Sequence, residues 1–147
     1  MPNSPIIVGL LAFSLTACVF ALVKGGRAER LGAAVILANM LLAVVGEHFF
    51  PKSILLWLDA GTATAMLVIA VRYASPWLGG VMLLYAIQFG LHAFYFVAQR
   101  PRDTLHVTVN NVDFLAISLC LVIGTAMSWR ERVRTQAAKA AALAARV

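Results

Sequence analysis

Apolar residues in this chain neither alternate nor gather on one helical face; they come in long unbroken runs. Five runs can be cut, at about 5–23, 31–50, 53–73, 77–98 and 109–129. Each is near the roughly 20 residues that a helix rising 1.5 Å per residue needs to cross about 30 Å of hydrocarbon. Membrane strands would alternate and close into a barrel, whereas these runs are apolar on both phases. The pattern predicts an all-α integral membrane bundle of five transmembrane helices, followed by a tail at 130–147.

The breaks between runs have local causes. "KGGRAER" (24–30) combines two glycines with three basic residues. In "FFPKS" (49–53), Pro51 disfavours helical geometry at Phe50. In "YASPW" (73–77), Pro76 suits the first turn of the next helix, and the short link predicts an antiparallel hairpin of the third and fourth spans. "RPRDTLHVTVNN" (100–111) reads as the one long loop.

Charge gives the bundle a direction. Lys24, Arg27, Arg30, Arg72, Arg130, Arg132, Arg134, Lys139 and Arg146 fall on one side, and Lys52, Arg100 and Arg102 on the other. The positive-inside rule puts the richer side in the cytoplasm, so the N-terminus is expected outside and the C-terminus inside. "LTAC" (15–18) matches a lipoprotein cleavage pattern, but no Lys or Arg precedes the run and "VFALV" continues it past Cys18. An uncut first span is expected.

Composition agrees with the pattern. Only 12% of residues are charged and 62% are hydrophobic, against about a quarter charged in soluble domains. The net charge of +6 would suggest nucleic acid in a soluble protein, but here the basic residues sit in short loops and a tail, where topology accounts for them. No nucleic-acid partner is expected. Cys18 and Cys120 lie within apolar runs, away from any metal-ligand spacing, and read as packing residues.

Ionisable groups at membrane depth are costly, by roughly 2.5–3.5 kcal/mol at a helix centre, and are candidates for function. Asp59, six positions after Ser53, and His92, seven before Gln99, both fall roughly 10 Å below the same boundary. An Asp–His pair is therefore available and would soften the cost of both. Tyr85, Gln88, His92, Tyr95 and Gln99 step by three and four along one face, and Asn110, Asp113, Ile117, Cys120, Gly124 and Ser128 form a matching seam. Such seams read first as helix-packing contacts. The sharper reading is a polar pocket open to the outer face, with Asp59, Gln88, His92, Tyr95 and Asp113 as ligand or proton-relay candidates. In the outer loop, Arg100, Arg102, Asp103 and His106 are contact candidates, the arginines balanced by Asp103 and Asp113.

Catalytic and metal patterns are missing. Glu47–His48 are adjacent, and His92 and His106 are separated by the expected loop, so no pair has the helical spacing of a metal site. No nucleophile elbow surrounds Ser14, Ser118 or Ser128, and "KGGRAER" is not a phosphate loop. No cofactor, metal or enzymatic activity is expected. The Ala-rich, basic tail should be helical, with Trp129 at headgroup level.

The segments "GGRAERLGA" (25–33), "LLWLD" (55–59) and "FGLHAFYF" (89–96) resemble a group of small multi-pass inner-membrane proteins of alphaproteobacteria, over 24–129. The resemblance implies a location in the bacterial inner membrane and a multi-pass architecture; it carries no activity and no residue roles. The expected function is a non-enzymatic accessory or scaffold subunit of an inner-membrane assembly, homo- or hetero-oligomeric. The alternative is a small transporter or proton-relay protein using Asp59 and His92.

Overall fold

Each apolar run forms a helix in the computed structural model, which describes residues 5–49, 53–101 and 103–145. The helices are α1 (Pro5–Lys24), α2 (Arg27–Phe49), α3 (Ser53–Tyr73), α4 (Pro76–Val97) and α5 (Thr104–Ala144). Among the described residues three of them, α1, α4 and α5, are long and apolar enough to cross a membrane. Phe50, Pro51, Lys52, Arg102 and Arg146 lie outside the described residues.

Sequential neighbours pack in turn, and α1 closes onto α5, so the helices form a ring; α2 also reaches α5 across its centre. The core joins small and medium residues, including Cys18, Ala21, Ala33, Met66, Leu78, Val81, Ile117 and Leu121, with two large rings, Trp77 and Tyr85. Small side chains let the backbones come close. Large apolar side chains such as Trp57, Val71, Phe96 and Val97 point outward and stay exposed, the arrangement that a hydrocarbon solvent favours.

Local chemistry sets the helix ends. Ser75 is extended at the start of α4, with Pro76 at the first helical position, as the "YASPW" reading anticipates. α3 and α4 pack together across this two-residue link. At the far end of α4, Gln99 adopts φ 49° and the Arg100 N–H reaches the Tyr95 carbonyl at 3.2 Å, a Schellman-type closure.

Two boundaries differ from the sequence reading. α2 begins at Arg27, not at 31, because the Glu29 carboxylate accepts from the Gly26 N–H at 2.8 Å. That is half of a capping box, and it converts the polar "RAER" into a first turn. The expected loop at 100–111 is also mostly helix. Asp103 is extended and its side chain accepts from the His106 N–H at 3.0 Å, starting α5 at Thr104. α5 then runs for 41 residues, about 60 Å, without a break at Trp129. The tail is therefore the continuation of the last apolar helix, and from Trp129 to Ala145 every residue is exposed.

Candidate functional site

The two ends of the ring carry different chemistry. One end gathers the start of α3, the last turns of α4 and the first turns of α5, and holds the candidate polar residues. Asp59 on α3 and His92 on α4 face each other, with Asp59 Oδ2 and His92 Nδ1 3.5 Å apart. Their side chains are 23% and 14% exposed, so a protonated His92 makes a largely shielded ion pair.

His92 continues into α5. Its ring stacks on that of His106, with centroids 5.2 Å apart and planes 18° from parallel. Tyr95 presents its ring edge-on to His106 at 4.8 Å. The Tyr95 hydroxyl donates to Asp103 Oδ1 at 2.5 Å. Asp103 thus caps α5 and accepts from Tyr95 with the same oxygen. The tyrosine hydroxyl bond, followed by the His106 N–H, holds the Asp103 carboxyl below the usual carboxylate range.

Deeper in the same region, Gln88 Nε2 donates to Asn110 Oδ1 at 3.1 Å, joining the two seams. Asp113 is buried on α5, and its Oδ2 has no hydrogen-bond partner among the described residues. It lies within electrostatic reach of Asp59, as does buried Tyr85. The order from surface to depth is Asp103, Tyr95, His106, His92, Asp59 and Asp113, three helices contributing in turn. Among the described residues, no three His, Cys, Asp or Glu side chains are grouped to hold a metal ion.

Several sequence assignments change here. His106 is not a loop contact residue: it is buried in the first turn of α5, facing α4. Its place was readable, because His106, Asn110 and Asp113 extend the α5 seam backward by steps of four and three. Asp113 is buried in the bundle and does not balance the outer arginines. Asp103 is bonded to Tyr95 and caps the helix, and exposed Arg100 acts on it electrostatically, in line with the expected balance of that arginine. Arg102 and the side chains of Glu47 and His48 lie outside the described residues.

At the opposite end, sequence drew attention to "KGGRAER" and Trp129 but not to Glu29 or Trp77. Buried Glu29 accepts from the Trp77 indole N–H at 3.1 Å with one oxygen and from Gly26 with the other. The Trp77 ring lies between Gly32 of α2 and Gly124 of α5. A Cβ at Gly124 would meet the ring at 2.4 Å, and one at Gly32 would meet it at 2.8 Å. Nearby, Arg132 donates to the Lys24 carbonyl, and the Lys24 ammonium sits 5.1 Å from the centre of the Trp129 ring. The glutamate three residues after Gly26 was the available signal for this arrangement.

The chain matches no protein-family model, no curated protein and no solved structure.

Proposed function

We propose that the protein is a small proton carrier of the bacterial inner membrane, with five spans and the histidine end outward. The observation that carries this reading is the cluster of ionisable groups in which Tyr95 bonds Asp103 and meets the His106 ring, His106 stacks on His92, and His92 faces Asp59. A histidine pair beside a carboxylate can take up and pass a proton near neutral pH, which few other side chains can do. Asp113, about 14 Å along α5 from its start, is the natural terminus, because it is a buried carboxylate with an oxygen that has no hydrogen-bond partner among the described residues.

The direction rests on the basic residues, nine on one side against three on the other. Beyond Asp113 the buried side chains are Leu78, Val81, Leu121 and the hydroxyls of Ser118 and Thr125, and the next carboxylate, Glu29, is held by Gly26 and Trp77. A path open to protons from one side and closed on the other suits a carrier that rearranges rather than a pore. The two polar seams meet within the chain through Gln88 and Asn110, so association is not required to satisfy them. This favours the carrier over the scaffold reading.

The test is proton uptake into vesicles containing the purified protein, driven by a potassium diffusion potential and read by an internal pH dye. The chain should accelerate uptake over empty vesicles, and His92→Gln and Asp59→Asn should each lower the rate at least ~10-fold, the size of a lost general acid–base group. A rate equal to empty vesicles, or variants as fast as the parent, would sink the proposal. The accessory-subunit reading is favoured by one other feature: the exposed extension of α5 beyond Trp129 offers a helical face to a partner.

A further inference from the structure

At the end of the ring opposite the histidines, α1, α2 and α5 border an open cavity of about 430 Å³. Its lining includes Lys24, Arg27, Arg30 and Arg132, and no carboxylate. Among the described residues none of these cations has a carboxylate within ion-pair distance. Glu29 turns its oxygens to Gly26 and Trp77; its Oε2 and Arg132 Nη1 both border Gly26 without forming an ion pair. Lys24 and Arg132 are held in place, one over the Trp129 ring and the other on the Lys24 carbonyl. Four cations converging on one opening repel each other unless an anion joins them.

The cavity is also part apolar. Val23, Trp129 and Val133 line it beside the cations. From Val23 an exposed apolar ridge runs away from the opening along α1, through Val19 and Leu15, at four-residue steps. A soluble anion has no use for such a ridge, whereas an acyl chain does.

We propose that this cavity binds the phosphate of an anionic phospholipid, with Arg27 and Arg30 as its principal ligands. Arg132 completes the cationic wall, Trp129 sits at headgroup level, and one acyl chain lies along Leu15, Val19 and Val23. Guanidinium groups suit the site because their fixed fork of donors matches phosphate oxygens. The proposal rests on the membrane reading of the chain but not on the proton relay, so either can fail alone.

The test is thermal unfolding of the purified full chain in a zwitterionic detergent, titrated with dioleoylphosphatidylglycerol, dioleoylphosphatidylcholine or inorganic phosphate. Phosphatidylglycerol should raise the unfolding temperature saturably, and phosphatidylcholine and millimolar phosphate should not. The double variant R27Q/R30Q should weaken the phosphatidylglycerol midpoint on the order of 30-fold, from about 1 kcal/mol per basic residue near the surface. Both arginines are exposed, so the variant should fold, and its unfolding without lipid should match the parent. R130Q/R134Q, with equal charge loss outside the cavity lining, should leave the midpoint within about twofold. Equal losses in the two double variants would mean diffuse attraction and overturn the site. An equal shift with inorganic phosphate, or no shift with phosphatidylglycerol, would overturn it as well.

Discussion

Glu29 and Asp113 are both acidic, both buried to 4% exposure, and both on helices that meet at the centre of the ring. Their surroundings differ. Both oxygens of Glu29 are used, one by the Gly26 N–H and the other by the Trp77 indole, itself clamped between Gly32 and Gly124. Asp113 has an oxygen with no partner and another carboxylate, Asp59, in electrostatic range. A satisfied buried acid fixes one geometry, while an unsatisfied one keeps a reason to change protonation state. The basic end thus holds its buried acid in one bonded geometry, and the histidine end leaves its buried acid with an unused oxygen.

The most severe break of that contrast is at Trp77. Trp77→Ala removes the wedge between α2 and α5 and strands the Glu29 carboxylate. We expect a loss of about 3–5 kcal/mol, as for other large aromatic truncations, measured by denaturant unfolding in detergent. A loss under about 1 kcal/mol would mean the basic end is not the rigid element.

The two acids themselves give the sharpest test, because the expected signs are opposite. Glu29→Leu leaves the Trp77 and Gly26 donors unpaired and should cost about 1–3 kcal/mol. Asp113→Leu removes an unsatisfied buried group and should stabilise by a similar amount, about 1–3 kcal/mol, while ending vesicle proton uptake. If both variants lose stability, Asp113 has a structural partner after all, and its place as the terminus of the relay lapses.

The surface end of the proposed relay has a pH signature. The Tyr95 hydroxyl bond and the His106 N–H hold Asp103 below the usual carboxylate range, so its charge stabilises the fold. Because the folded value is the lower one, the contribution is fully present above the ordinary range, near pH 4, and is lost as pH falls through the lower folded value. The unfolding-temperature gap between the parent and Asp103→Asn should therefore hold constant from neutrality down to about pH 5 and narrow only in stronger acid. A gap that closes nearer neutrality would assign the titration to another group.

The sequence made some of this contrast legible and hid the rest. The helices followed from run length and apolar content alone. Asp59 and His92 came out at one level from the 1.5 Å rise, and the rotation that brings them to 3.5 Å is not fixed by depth. His106 was hidden because charge and polarity at 100–111 suggested a loop. A single cap, Asp103 on the His106 N–H, instead turned that stretch into helix and swung the histidine inward. The Trp77 clamp depends on two glycines, 32 and 124, separated by most of the chain, and no local period announces such a meeting.

The smallest expected effects come from a matched pair, one residue at each end. Ala74 at the basic end and Gln99 at the histidine end both have left-handed backbones, with φ of 46° and 49°. Glycine adopts that region without the Cβ clash, so Ala74→Gly should stabilise by about 0.5–1 kcal/mol. Gln99→Gly relieves the same strain but also removes the Gln99 amide, whose Nε2 donates to the Phe96 carbonyl at 3.0 Å. That bond is exposed, and a net hydrogen bond contributes about 0.5–1.5 kcal/mol at most, so the gain at Gln99 should be smaller than at Ala74 and can fall to zero. Equal gains would mean that the glutamine side chain adds nothing to the close of α4. A larger gain at Gln99 would reverse the contrast, placing the greater backbone strain at the histidine end, where local strain is expected beside a site that must change state.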